Sequence, residues 1–131
     1  KGRIARNTIE QVAPAADSQG LLLMQEEVRN IFIHDRIYHY IGRLSQATRN
    51  NPMIELGVSP RGSLALARMA QASAYLRNKT YVTPDDIRGI LMDVWAHRIL
   101  LNAKARISHL TPDAVLEEIL KSVPAPSLRK T

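Results

Sequence analysis

Cysteine is absent from this 131-residue chain, which excludes disulfides and thiolate metal sites. A chain that uses no thiols fits a reducing compartment, so a cytoplasmic setting is expected. Aromatic residues are scarce, with one Phe, one Trp and four Tyr, so the core must be largely aliphatic. Long apolar runs are missing as well. Leu21-Leu22-Leu23-Met24 is among the longest and falls far short of the roughly 20 residues that span a bilayer. Residues 1–10 are polar and carry no apolar segment of the signal-peptide kind. The four histidines, His34, His39, His97 and His109, include no pair at the i, i+4 spacing of a helical zinc site, so no metal ligand set is expected.

What is present is the composition of one folded domain, with 45% hydrophobic residues. The formal charge of +6 invites a nucleic-acid reading, but its distribution does not support one. Residues 1–20 contribute +1 and the last five residues +2, which leaves +3 scattered over 21–126 rather than gathered in a stripe.

Hydrophobic periodicity predicts an all-α fold, a compact bundle of four to five helices with minimal strand content. Residues 1–20, with Pro14 and Asp17-Ser18-Gln19-Gly20, read as a connector; 21–124 as the helical domain; and 125–131 as a C-terminal tail. A first helix is expected over 21–30, followed by an extended Ile31-Phe32-Ile33. A second helix, N-capped by Asp35, would bury Ile37, Tyr40, Ile41, Leu44 and Thr48 and end at Asn50-Asn51-Pro52. A third, over 60–77, has apolar or small residues nearly all round and should be central. A fourth starts at Thr83-Pro84 and a fifth at Thr111-Pro112, with Ile87, Ile90, Leu91, Val94 and then Val115, Leu116, Ile119, Leu120 facing inward. Trp95 beside the fourth stripe is expected in the core.

Three helices share one opening, a hydroxyl N-cap followed by proline at the first helical position, where its fixed φ and missing N–H do no harm. After Thr83-Pro84 come Asp85 and Asp86, and after Thr111-Pro112 comes Asp113, all complementing the positive end of the helix dipole. After Ser59-Pro60 comes Arg61 instead. A cation there opposes the dipole and costs a few tenths of a kcal/mol, roughly. Two readings are open. Either an anion arrives and receives the backbone N–H groups, the dipole and a bidentate guanidinium together, or Arg61 pairs with a nearby carboxylate such as Glu55.

Gly57-Val58-Ser59-Pro60-Arg61-Gly62, followed by an Ala/Leu-rich helix, resembles the sensor 2 segment of MoxR-type AAA+ ATPases. Three further stretches resemble the same family in the same order: Val28 through Asp35 with Tyr40-Ile41 and Ala47-Thr48-Arg49, then Tyr81-Val82-Thr83-Pro84-Asp85-Asp86-Ile87, then Ala96-His97-Arg98-Ile99. The resemblance covers about residues 20–101 and continues more loosely to Pro124. It implies the C-terminal lid that packs over ATP held by a preceding α/β AAA+ core, with 1–20 as the connector from that core. It implies that Arg61 is the sensor 2 arginine on the γ-phosphate, that Ser59 and Pro60 aim it, and that Tyr40 and Ile41 lie near the adenine, although their spacing equally suits plain core. It implies ATP and Mg²⁺ in the longer parent protein, a homo-hexameric ring with chaperone-like remodelling activity, and partners that carry a von Willebrand factor A domain.

The six glycines, at positions 2, 20, 42, 57, 62 and 89, build no G-x-x-x-x-G-K-[ST] loop, and no apolar strand ends in the Asp-Glu pair that would hold Mg²⁺. The chain therefore reads as half of a nucleotide site. The competing reading is a free-standing helical adaptor or nucleic-acid-binding bundle that uses Arg36, Arg43, Arg49 and Arg68. The lid reading predicts that the isolated chain folds yet turns over no ATP. A steady-state phosphate-release assay on the pure chain checks this, and substantial turnover contradicts it.

Overall fold

A computed structural model describes residues 18–128. Six helices and one two-stranded sheet follow in order: α1 Ser18–Arg29, α2 Asp35–Arg49, β1 Ile54–Leu56, α3 Pro60–Leu76, α4 Pro84–Trp95, β2 Leu100–Leu101, α5 Ala103–Ile107 and α6 Pro112–Ser122. Among the described residues no helix is long and apolar enough to cross a membrane.

The all-α expectation holds, and the buried faces are the predicted ones. Ile37, Tyr40, Ile41, Leu44 and Thr48 face inward on α2, and Val115, Leu116, Ile119 and Leu120 on α6. The third helix is central as expected: α3 packs against α1, α2 and α4 through Leu66, Ala67, Ala70 and Ala74. Small residues on α3 let its neighbours approach closely. Its outer side keeps Leu64, Arg68 and Leu76 exposed, so α3 is flanked rather than enclosed.

Several boundaries differ from the sequence reading. The first helix begins at Ser18, inside the expected connector, and buries no residue fully. Leu21, Met24 and Val28 are half-buried along it, and polar bonds tie this region to α3. Gln71 Nε2 donates to the carbonyls of Arg29 (3.3 Å) and Ile31 (2.9 Å), and the Tyr75 hydroxyl donates to Glu27 at 2.6 Å. The cap of α2 is His34, whose Nδ1 accepts the Arg36 N–H at 3.0 Å; Asp35 is the first helical residue and contributes charge rather than the capping bond. Of Ile31-Phe32-Ile33, expected to be extended, Phe32 bridges to Tyr81, Ile31 lies at a bend where its N–H reaches Val28 O at 3.1 Å, and both isoleucines are buried.

β1 and β2 form an antiparallel pair, Ile54 opposite Leu101 and Leu56 opposite Leu100, and α5 follows directly. Strands of two or three residues are too short to display a period, and a five-residue helix cannot show a stripe. Asn102 organises this corner. Its side chain caps α5 by accepting the Ala105 N–H at 2.9 Å and donates to Pro52 O at 2.7 Å, while its own N–H reaches Met53 O. Helices α3 and α5 both end in the Schellman geometry, with Asn78 (φ 60°) and His109 (φ 59°) in the left-handed position usually given to glycine. Beyond α6, residues 124–128 run back along α2, where Arg36 donates to Ser127 O and Arg43 to Pro124 O at 3.4 Å.

Asp86 is buried at the start of α4. Its Oδ2 accepts the Thr83 N–H (2.8 Å), the Thr83 hydroxyl (3.0 Å) and the Lys79 ammonium (2.6 Å), which ties the end of α3 to the start of α4. Its Oδ1 lies 3.8 Å from Arg77 Nη1. Burial alone would raise this carboxyl, but the Lys79 bond and the two Thr83 bonds outweigh it and hold the group below its ordinary value of 3.8. A lowered carboxyl contributes stability that is present above the unfolded value and disappears as pH falls through the folded one. Asp86→Asn is therefore expected to cost about 1–3 kcal/mol at neutral pH. That cost should shrink as pH falls below about 4, where the carboxyl protonates first in the unfolded chain and only at lower pH in the folded one. Urea melts of both proteins across pH 3–7 check this; a cost independent of pH contradicts it.

Candidate functional site

The exposed turn at Ser59-Pro60-Arg61 is held from beneath by the end of α2. Thr48, fully buried, accepts the Val58 N–H at 3.0 Å, and its hydroxyl donates to Ser45 O at 2.6 Å. Arg49 donates from Nε to Val58 O at 3.2 Å, and its other nitrogens reach Ser45 Oγ (2.9 Å) and Gln46 Oε1 (3.3 Å). Both backbone groups of Val58 are thus claimed by α2, and its side chain is buried. Gly57 permits this approach. A Cβ there would meet Arg49 Cα, N and Cγ at 2.9 Å, so only glycine lets the loop backbone lie on the helix backbone.

The turn itself is the expected one. Ser59 Oγ accepts the Gly62 N–H at 3.2 Å, Ser59 O accepts the Ser63 N–H at 3.0 Å, and Pro60 fills the first helical position. Arg61 is exposed, and neither its guanidinium nor its N–H has a hydrogen-bond or ion-pair partner among the described residues. Glu55 is exposed and does not pair with it. No carboxylate compensates for the cation at this helix opening.

On its inner side the turn meets the end of α4. Gly62 is buried, and a side chain there would run into Val58 Cγ1 at 2.7 Å. Its carbonyl accepts the indole N–H of Trp95, itself fully buried, at 2.9 Å.

Of the residues expected near the nucleotide, Ser59, Pro60 and Arg61 share one exposed turn. Tyr40 and Ile41 stand differently. Tyr40 has no exposed surface and Ile41 is 4% exposed; both belong to the core on the inward face of α2, with the Tyr40 hydroxyl 3.4 Å from Arg88 Nη1. Sequence reasoning missed Thr48, Arg49 and Trp95 as holders of the turn. The signal available was a polar residue at a stripe position, Thr48, which on an inward face must find an internal partner.

The arginines that would serve a nucleic-acid surface are mostly committed elsewhere. Arg36 and Arg43 hold the tail, and Arg49 holds the loop. Among the described residues no group of three His, Cys, Asp or Glu side chains converges to hold a metal ion.

A compact helical bundle of this kind is the architecture of an AAA lid. The AAA lid domain family model matches residues 46–119, more than half of the chain, and the chain belongs to that family. The relatives it matches include MoxR proteins. It is 38% identical over 121 residues to the uncharacterised Bacillus subtilis protein YeaC, covering 92% of this chain and 38% of that protein. It is 31% identical over 117 residues to the chaperone MoxR1 of Mycobacterium tuberculosis, covering 82% of this chain and 31% of that protein. A solved structure of a candidate ATPase from Cytophaga hutchinsonii superposes with a TM-score of 0.78 at 29% identity, covering 83% of this chain and 36% of that one. The chain spans less than two fifths of the length of each.

The clamp yields a direct expectation. Gly57→Ala should destabilise the domain by about 1–3 kcal/mol through overpacking against the α2 backbone. Thr48→Val, nearly isosteric, should cost a similar ~1–3 kcal/mol by leaving the Val58 N–H unpaired. Chemical denaturation checks both; midpoints equal to the parent contradict the clamp.

Proposed function

We propose that this domain is the sensor 2 lid of a MoxR-type AAA+ ATPase, closing over ATP bound to an α/β domain in the same longer protein. Arg61 is the functional cation. In the closed state its guanidinium meets the γ-phosphate with two parallel hydrogen bonds, beside the uncommitted Arg61 N–H at the positive end of α3. As the terminal phosphoryl group transfers, charge grows on its oxygens, and a guanidinium already in place stabilises that charge without reorganising. When the phosphate leaves, the contact is lost and the lid moves as a rigid body. Ser59 and Pro60 aim Arg61, while Tyr40 and Ile41 form the packed floor on the adenine side, acting through shape because the bundle buries them. Mg²⁺ is the business of the α/β domain.

The observation that carries this reading is Arg61 itself, an exposed and uncompensated cation in the first turn of a helix whose loop is fixed on both sides. The kinship with a protein named as a chaperone supports chaperone-like remodelling of client proteins. By the family resemblance, we further propose a homo-hexameric ring, partners with von Willebrand factor A domains and a cytoplasmic setting for the longer protein. In the full-length protein, Arg61→Ala should leave the fold intact and lower ATP turnover by roughly 10²–10³-fold, as for removal of a preorganised charge donor. Steady-state kinetics beside circular dichroism test this, and parental turnover removes Arg61 from the mechanism.

A further inference from the structure

We infer that Trp95 is a positioning residue for Arg61, the part that transmits the placement of α4 to the phosphate-facing turn. The inference rests on the sensor 2 reading and adds to it a residue on a different helix.

Trp95 is the chain's single tryptophan, and it occupies the last position of α4. A buried indole needs a partner for its N–H, and here the partner is Gly62 O, in the residue that follows Arg61. In helical geometry that carbonyl also faces the N–H four residues on, and its second lone pair is what the indole takes. The bond is therefore not required to keep α3 helical. It fixes where the first turn sits against α4.

The surroundings leave that turn little other freedom. Val58 Cγ1 lies 2.7 Å from where a Gly62 side chain would begin, and the aliphatic stem of Arg98, just beyond α4, lies 3.5 Å from the same point. The loop before it is pinned to α2. Arg61 thus lies between Ser59, whose hydroxyl caps the helix by accepting the Gly62 N–H, and Gly62, whose carbonyl is bonded to α4. Phenylalanine at position 95 would keep most of the apolar contact and lose the donor, freeing the turn to shift. Misplacement of about 1 Å in a catalytic group costs up to ~10²-fold in rate, so a small shift suffices to be read in kcat.

The test compares three single variants of the full-length protein: Trp95→Phe, Arg61→Ala, and Leu116→Val as a core substitution on α6, away from the turn. Each is assayed for kcat and for KM towards ATP at a temperature where circular dichroism shows it folded. The expected result is a kcat about tenfold lower for Trp95→Phe, with KM within about twofold of the parent, while Leu116→Val keeps parental kcat. Replacing Trp95 by β-(3-benzothienyl)alanine, which keeps the ring's shape and deletes only the donor, should give the same loss and reads the bond even if the phenylalanine variant folds poorly. Parental kcat in the benzothienyl variant, with Arg61→Ala impaired, overturns the role of Trp95 and leaves the sensor 2 reading standing. Equal losses in Trp95→Phe and Leu116→Val reduce Trp95 to core packing and overturn it as well. Parental turnover in Arg61→Ala overturns both.

Discussion

The bonds between the last turn of α2 and the backbone of Val58 are the constraint on which the rest depends. A three-residue loop between a strand and a helix would ordinarily be free to choose its path. Here Thr48 takes its N–H, Arg49 takes its carbonyl, and Gly57 has no side chain to hold the two backbones apart. Each bond is modest, but a buried N–H left unpaired is costly, so the alternative placements of the loop are the expensive ones. The placement of the Arg61 backbone follows. It is set by a loop held to α2, a serine cap, a proline with fixed φ and a glycine carbonyl bound from behind.

The domain is assembled so that structural polar bonds converge on this turn while its charge stays unspent. Asp86 shows the opposite treatment at the next helix opening. Its carboxylate is buried and collects Thr83 and Lys79, which closes the junction between α3 and α4. The two openings share the hydroxyl-proline start, yet one is sealed and the other is left facing outward. That contrast separates a helix start made for stability from one suited to a ligand. It also explains why α4 matters to the turn, because α4 is anchored to α3 at its beginning by Asp86 and at its end by Trp95.

Much of this was legible in the sequence. Inward faces of α2, α4 and α6 were set by the spacing of aliphatic residues, which survives any detail of packing. The helix openings were announced by Ser59-Pro60, Thr83-Pro84 and Thr111-Pro112, since capping is local chemistry. The unusual charge of Arg61 was visible for the same reason. What escaped reading is non-local or short. His34 displaced Asp35 as the cap of α2 because either side chain can accept the bond and only the backbone path decides. The β1–β2 pair and α5 are too brief to carry a period, and Asn102, which organises them, looks like any loop asparagine. Trp95 reads as a core residue by its neighbours on the helix, and nothing local reveals that its N–H meets a carbonyl 33 positions away.

The most direct test of the central claim is a structure of the full-length protein with a non-hydrolysable ATP analogue bound. The account predicts a guanidinium nitrogen of Arg61 about 2.7–2.9 Å from a terminal phosphate oxygen, the distance of a charge-assisted bond. A closed lid in which Arg61 points into solvent, or pairs with a carboxylate while another cation holds that phosphate, contradicts it.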